Sequence, residues 1–133
     1  MTARIVFAAV AWLFVGLVAV QVFLAGVGLF GAGNMDGHRE FGWILSMLPL
    51  LVLIAAAVAR AGRLALWSGG LLVLAIVQTF LPSLKADAPF VAALHPVNAL
   101  AIAWLGYVIA QRATALARER RRTETRLAQP AQS

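Results

Sequence analysis

Charge is distributed along this chain so that four long segments carry none. No Asp, Glu, Lys or Arg lies between Arg4 and Asp36, Glu40 and Arg60, Arg63 and Lys85, or Asp87 and Arg112. The gaps hold 31, 19, 21 and 24 residues. A helix needs about 20 apolar residues to cross roughly 30 Å of hydrocarbon, so each gap fits one crossing. The runs are continuously apolar and rich in Leu and Ala, without the alternation of a barrel strand, which points to helices. Composition agrees. At 62% hydrophobic and 12% charged residues, with mean hydropathy +0.89, the chain lies far from soluble domains, which run at about 45–50% apolar and 25% charged. That excludes a soluble enzyme with a water-facing surface. The absence of cysteine excludes disulfides, thiolate metal centres, iron–sulfur clusters and a cysteine nucleophile.

The expected fold is an all-α integral membrane four-helix bundle, with helices near 5–30, 37–60, 64–82 and 89–116. These make one transmembrane domain over residues 1–117, followed at 118–133 by a basic and then polar tail containing Pro130. The first apolar run continues to Phe30, well past the usual 7–15-residue core of a signal peptide, and is expected to stay in the mature protein. Pro49 is expected to bend the second helix near Ser46, and Pro96 to kink the fourth beside His95. Gly16, Gly26 and Gly28 read as positions of close helix packing.

Orientation follows from the basic residues. Arg4, Arg60, Arg63, Arg112, Arg118, Arg120, Arg121, Arg122 and Arg126 fall at one end of the bundle, and only Arg39 and Lys85 at the other. Nine against two puts both termini in the cytoplasm of a bacterial inner-membrane protein, with the 31–37 and 83–88 connections outside. The net charge of +6 is thus a topology signal or a grip on anionic lipid, and nucleic acid is not an expected partner.

Polar residues inside the spans are few, and they repeat. Gln21 precedes His38 by 17 residues, and Gln78 precedes His95 by 17. The offset between the pairs is 57, at which Val20 also matches Val77, Phe23 matches Phe80, Leu24 matches Leu81 and Leu48 matches Leu105. The chain therefore reads as a helical hairpin duplicated in tandem, its halves related by a pseudo-two-fold axis along the membrane normal. His38 and His95 would then oppose one another near the outer face. Two imidazoles facing across a bundle core are the ligand set of a bis-histidine haem. Gly42 and Ala99, each four residues after a histidine, would let a flat macrocycle approach the helix on that face. Arg39 and Lys85 could meet its propionates, and Gln21 and Gln78 could orient the imidazoles. Each residue also has a plainer role: a satisfied polar histidine, a solvated loop charge, a packing glycine, or a glutamine bonding between helices.

At these residues the chain resembles one four-helix half of heme A synthase, whose helices carry histidines toward the outer ends of the second and fourth spans. It resembles equally a group of small bacterial four-helix proteins with the same two-histidine layout. The His38-Arg39 dipeptide matches the synthase habit of following a haem-side histidine with arginine. The resemblance implies haem ligation by His38 and His95. It does not carry over the oxidation chemistry, because Met35, with Asp36 beside it, stands where the synthase pattern has a glutamate, and the second half is absent unless two chains pair. Cytochrome b561-type proteins, a further comparison, hold two haems with four histidines; two histidines limit this chain to one.

The leading expectation is a membrane cytochrome with one haem b, for electron transfer or haem handling. Its partners would be the lipid membrane, a quinone or redox protein, and a second copy or larger complex. The alternative is a cofactor-free accessory subunit or assembly factor. A small transporter is the third class, disfavoured because no carboxylate or lysine lies in any span interior.

Overall fold

The computed structural model describes the backbone of residues 2–128 and the side chains of residues 2–119. Its elements are all helical among the described residues. α1 spans Thr2–Leu29, α2 Asp36–Ser46, α3 Leu48–Val58, α4 Arg63–Phe80, α5 Pro89–Ala92 and α6 Leu94–Ala128, with a 3₁₀ segment at Leu81–Lys85 between α4 and α5. Joined across their breaks, these give four helical segments long and apolar enough to cross a membrane: Thr2–Leu29, Asp36–Val58, Arg63–Lys85 and Pro89–Glu119. Leu100 and Phe90, 73% and 90% exposed, are typical of the outer surface, which water would not tolerate but hydrocarbon would.

The breaks follow from proline. Pro49 has no N–H to offer Leu45, so the helix tightens at Met47, with Met47 N–H bonded to Ile44 O at 3.2 Å and Leu50 N–H to Met47 O at 3.2 Å. Ser46 Oγ turns back to Trp43 O at 2.7 Å. The fourth segment starts at Pro89 and breaks at Ala93, three residues before Pro96. Beyond residue 116 the helix continues to Ala128, so the basic stretch of the tail is helical that far. The side chains of Arg120, Arg121, Arg122 and Arg126, and the polar end with Pro130, lie outside the described residues.

Each segment buries one stripe at alternating spacings of four and three. Phe7, Ala11, Phe14 and Val18 supply it from α1; Leu45, Pro49, Val52, Ala56 and Ala59 from α2 and α3; Ser68, Leu71 and Ala75 from α4; Ile102, Gly106, Ile109 and Ala113 from α6. Spacings of four and three keep one face of each helix turned to its neighbours, as in a bundle core. The segments form a ring: α1 packs on α2, α3 and α6, and α4 packs on α2, α3 and α6, while among the described residues the backbones of α1 and α4 stay apart, as do those of α3 and α6. The closest approach over a glycine is at Gly106, where an added Cβ would lie 2.8 Å from Phe14 Cε1. Gly16 and Gly26, expected to mark close packing, have nothing within 4 Å of an added Cβ. Gly28 is covered by the side chain of Met35 on the connection it faces.

Candidate site at the histidine pair

The two repeat-equivalent pairs form equivalent clasps. His38 Nδ1 lies 3.1 Å from Gln21 O, and His95 Nδ1 lies 3.2 Å from Gln78 O. A carbonyl only accepts, so Nδ1 carries the proton in both rings. In the neutral ring Nε2 then keeps its lone pair. The side-chain amide of each glutamine contacts that Nε2, at 3.4 Å for Gln21–His38 and 3.2 Å for Gln78–His95. The histidine of one segment is thus held by the backbone and side chain of the segment before it.

The rings themselves meet across the bundle. His38 on α2 and His95 on α6 have centroids 6.3 Å apart with their planes at 75°, although α2 and α6 make no backbone approach of their own. Both histidines and both glutamines are half-buried.

The second clasp has a part that sequence reasoning missed. Asn98, one turn after His95, donates from Nδ2 to Gln78 Oε1 at 2.8 Å and to Leu74 O at 2.9 Å, which locks the glutamine that holds the imidazole. Its polarity inside an apolar span was a signal available in the sequence. Pro82 is a second such part. It stands four residues after Gln78, where its missing N–H leaves Gln78 O without a helical donor, and that carbonyl is the one that takes the His95 proton.

The first clasp lacks both devices. Phe41 occupies the position 57 residues before Asn98. Gln21 turns its amide nitrogen to His38 O at 2.9 Å, leaving Gln21 Oε1 buried without a partner among the described residues. Such an orphan acceptor is costly in a low-dielectric interior, so the His38 side is the less satisfied of the two.

The remaining candidate residues separate. An added Cβ at Gly42 would lie 2.8 Å from Gln21 Nε2, so the glycine seats the glutamine amide. Ala99 is half-buried one turn below His95. Arg39 pairs with Asp36 at 3.7 Å, both side chains well exposed, and Lys85 ends the 3₁₀ segment, also exposed. Neither cation touches the histidine pair.

A family of unknown function (DUF6220) matches residues 21–84. The matched stretch contains Gln21, His38 and Gln78 and stops short of His95. No curated protein and no solved structure matches the chain.

Proposed function

We propose that this chain is a membrane haem protein in which His38 and His95 hold one haem b, serving electron transfer or haem handling. The observation that carries the reading is the imidazole pair: two rings from segments whose backbones stay apart, 6.3 Å between centroids, each with Nδ1–H tied to a backbone carbonyl. Metal-bound histidines typically donate their second ring N–H to such a group, which fixes the ligating tautomer. Two metal–imidazole bonds of about 2 Å, with each ring centre roughly 1.1 Å behind its nitrogen, require centroids about 6 Å apart. The separation of the two rings is thus of the size at which His38 and His95 would hold one metal centre between them.

In this reading the group supplies reversible one-electron chemistry when bound. The chain's own residues bind and orient. His38 and His95 would hold the group through Nε2, the atom that each glutamine amide contacts at 3.4 and 3.2 Å, while the Nδ1–carbonyl bonds fix the rings. Arg39 and Lys85 flank the same end of the bundle, where anionic propionates would emerge. With both histidines engaged, the group would supply electron transfer or storage in preference to oxygen chemistry. A quinone or a redox protein would be the partner, alone or within a homodimer or larger complex.

The architecture that goes with this reading is two tandem hairpins about a pseudo-two-fold axis along the membrane normal. Both termini are cytoplasmic in a bacterial inner membrane, with the site near the outer face. The resemblance to half of a heme A synthase belongs to the same proposal. A second reading, a cofactor-free accessory subunit, is favoured by one observation: the Gln–His contacts engage all four imidazole nitrogens within the chain.

The test is an absorption spectrum of detergent-purified protein, oxidised and dithionite-reduced, with haem supplied during expression or added afterwards. The expected result is a sharp low-spin α-band in the wild type, absent from His38→Ala and from His95→Ala. A colourless wild type that takes up no added haem overturns the reading in favour of the accessory subunit.

A further inference from the structure

At the opposite end of the bundle the arginines frame a groove. It lies between the start of α4 and the late part of α6, encloses about 470 Å³, and is lined by Arg63, Arg112, Trp67, Ala61, Leu64 and Ala115, among others. The Arg112 guanidinium rests 4.7 Å above the Trp67 ring. Such a contact engages the face of a guanidinium, whose N–H donors lie in its plane, the direction from which an anion binds. Arg63 is the first residue of α4. Neither arginine is paired with a carboxylate among the described residues; Glu119, also on the lining, is itself partnered. Two exposed guanidinium groups thus converge over an alanine and leucine wall, in a segment that turns apolar within one helical turn.

We propose that this groove binds the headgroup phosphate of an anionic phospholipid. Arg63 and Arg112 contact the phosphate, and Trp67, Leu64 and Ala115 lie against the glycerol and first methylenes. The occupant is argued from complementarity. A pocket that is cationic at its mouth and apolar along its wall, at the charged end of an apolar segment, matches the amphiphile that surrounds it. Basic pockets between spans are where such headgroups lodge, and the Trp67 ring suits the polar–apolar boundary. The inference stands independently of the haem reading, since no residue is shared.

The test uses the full chain carrying Trp67 as its only tryptophan (W12F/W43F/W104F), reconstituted into vesicles of phosphatidylcholine mixed with phosphatidylglycerol. Either lipid carries brominated acyl chains that quench nearby tryptophan. The expected result is a binding constant for phosphatidylglycerol over phosphatidylcholine at Trp67 of about fivefold or more, as one or two arginine contacts supply. It should fall toward one in R63Q/R112Q, persist in R112K, and persist in R118Q, which alters an arginine of the same end that lines the neighbouring groove beside Trp12 and not this one. Equal quenching by the two lipids in the parent chain overturns the proposal. So does an equal loss in R118Q, which would make the preference a property of the whole basic end. Displacement by inorganic phosphate but not by chloride at matched ionic strength would assign the groove to a soluble anion and also overturn it. Should R63Q/R112Q fail to elute as a folded species, the single variants R63Q and R112Q carry the same expectation at roughly half the effect.

Discussion

At the scale of single residues, polar side chains inside the spans do more than their number implies. Asn98 illustrates this: removing its amide in Asn98→Leu leaves Gln78 Oε1 without its 2.8 Å donor. The expected cost is about 0.6–1.7 kcal/mol, the range of hydrogen bonds between membrane helices, read as a loss of resistance to denaturing detergent by circular dichroism. Phe41→Leu at the equivalent position breaks no hydrogen bond and should cost less. Gly106 makes a complementary case. Its Cα faces the ring of fully buried Phe14, and a methyl group there would lie 2.8 Å from Phe14 Cε1. Gly106→Ala is therefore expected to destabilise by about 1–3 kcal/mol as an overpacked contact. Combining it with Phe14→Leu should cost less than the two single changes summed, which a double-mutant cycle would show. The histidine–glutamine spacing was legible in the sequence because the polar residues stand out against apolar neighbours. Gly106 was not, since glycine at several positions carries the same signal and only packing tells which one faces a ring. Nor did the sequence reveal that a glutamine from the neighbouring helix lies against Gly42.

Helix ends and breaks decide the element scale. Two left-handed positions close the first and second segments. Gly31 has φ 73° and Arg60 φ 51°, and behind each the chain makes the six-to-one bond of a helix stop, Ala32 N–H to Val27 O at 3.0 Å and Ala61 N–H to Ala56 O at 3.0 Å. Glycine adopts this conformation freely, whereas a side chain pays for it by roughly 1–2 kcal/mol. Arg60→Gly is therefore expected to stabilise the protein by about 0.5–1 kcal/mol, and Gly31→Ala to destabilise it by about 1 kcal/mol, both read from thermal melts in detergent. An increase in stability on mutating Gly31 would contradict the geometry. Prolines were legible as break points, but their placement was not: Pro49 breaks the helix two residues ahead of itself and Pro96 three residues ahead. Pro82 drew no attention in the sequence, because its effect is on a carbonyl four residues earlier whose partner comes from another segment.

For the molecule as a whole, the arginine-rich end and the histidine end impose a polarity that topology experiments can read. The chain lacks cysteine, so single cysteines report directly. In intact cells a membrane-impermeant maleimide is expected to label Ser83→Cys, on the 3₁₀ segment beside the histidine end, and to reach Thr2→Cys only after lysis. The reverse pattern would invert the proposed orientation. Four helical segments long and apolar enough to cross a membrane, their order and the 57-residue offset of the Gln–His pairs were set by the sequence itself, because the energy of placing a charge in hydrocarbon is large and separates such segments by charged residues. Which face of each helix turns inward was decided only by tertiary structure. In α1 the exposed and core-facing surfaces are both apolar, so hydropathy has little contrast from which to read the stripe of Phe7, Ala11, Phe14 and Val18. The meeting of His38 with His95 depends on that rotation. So do the clasp through Asn98, the unpartnered oxygen of Gln21 and the seating of Arg112 on Trp67, because each is a contact between residues whose separation along the chain says nothing about distance until four helices have packed.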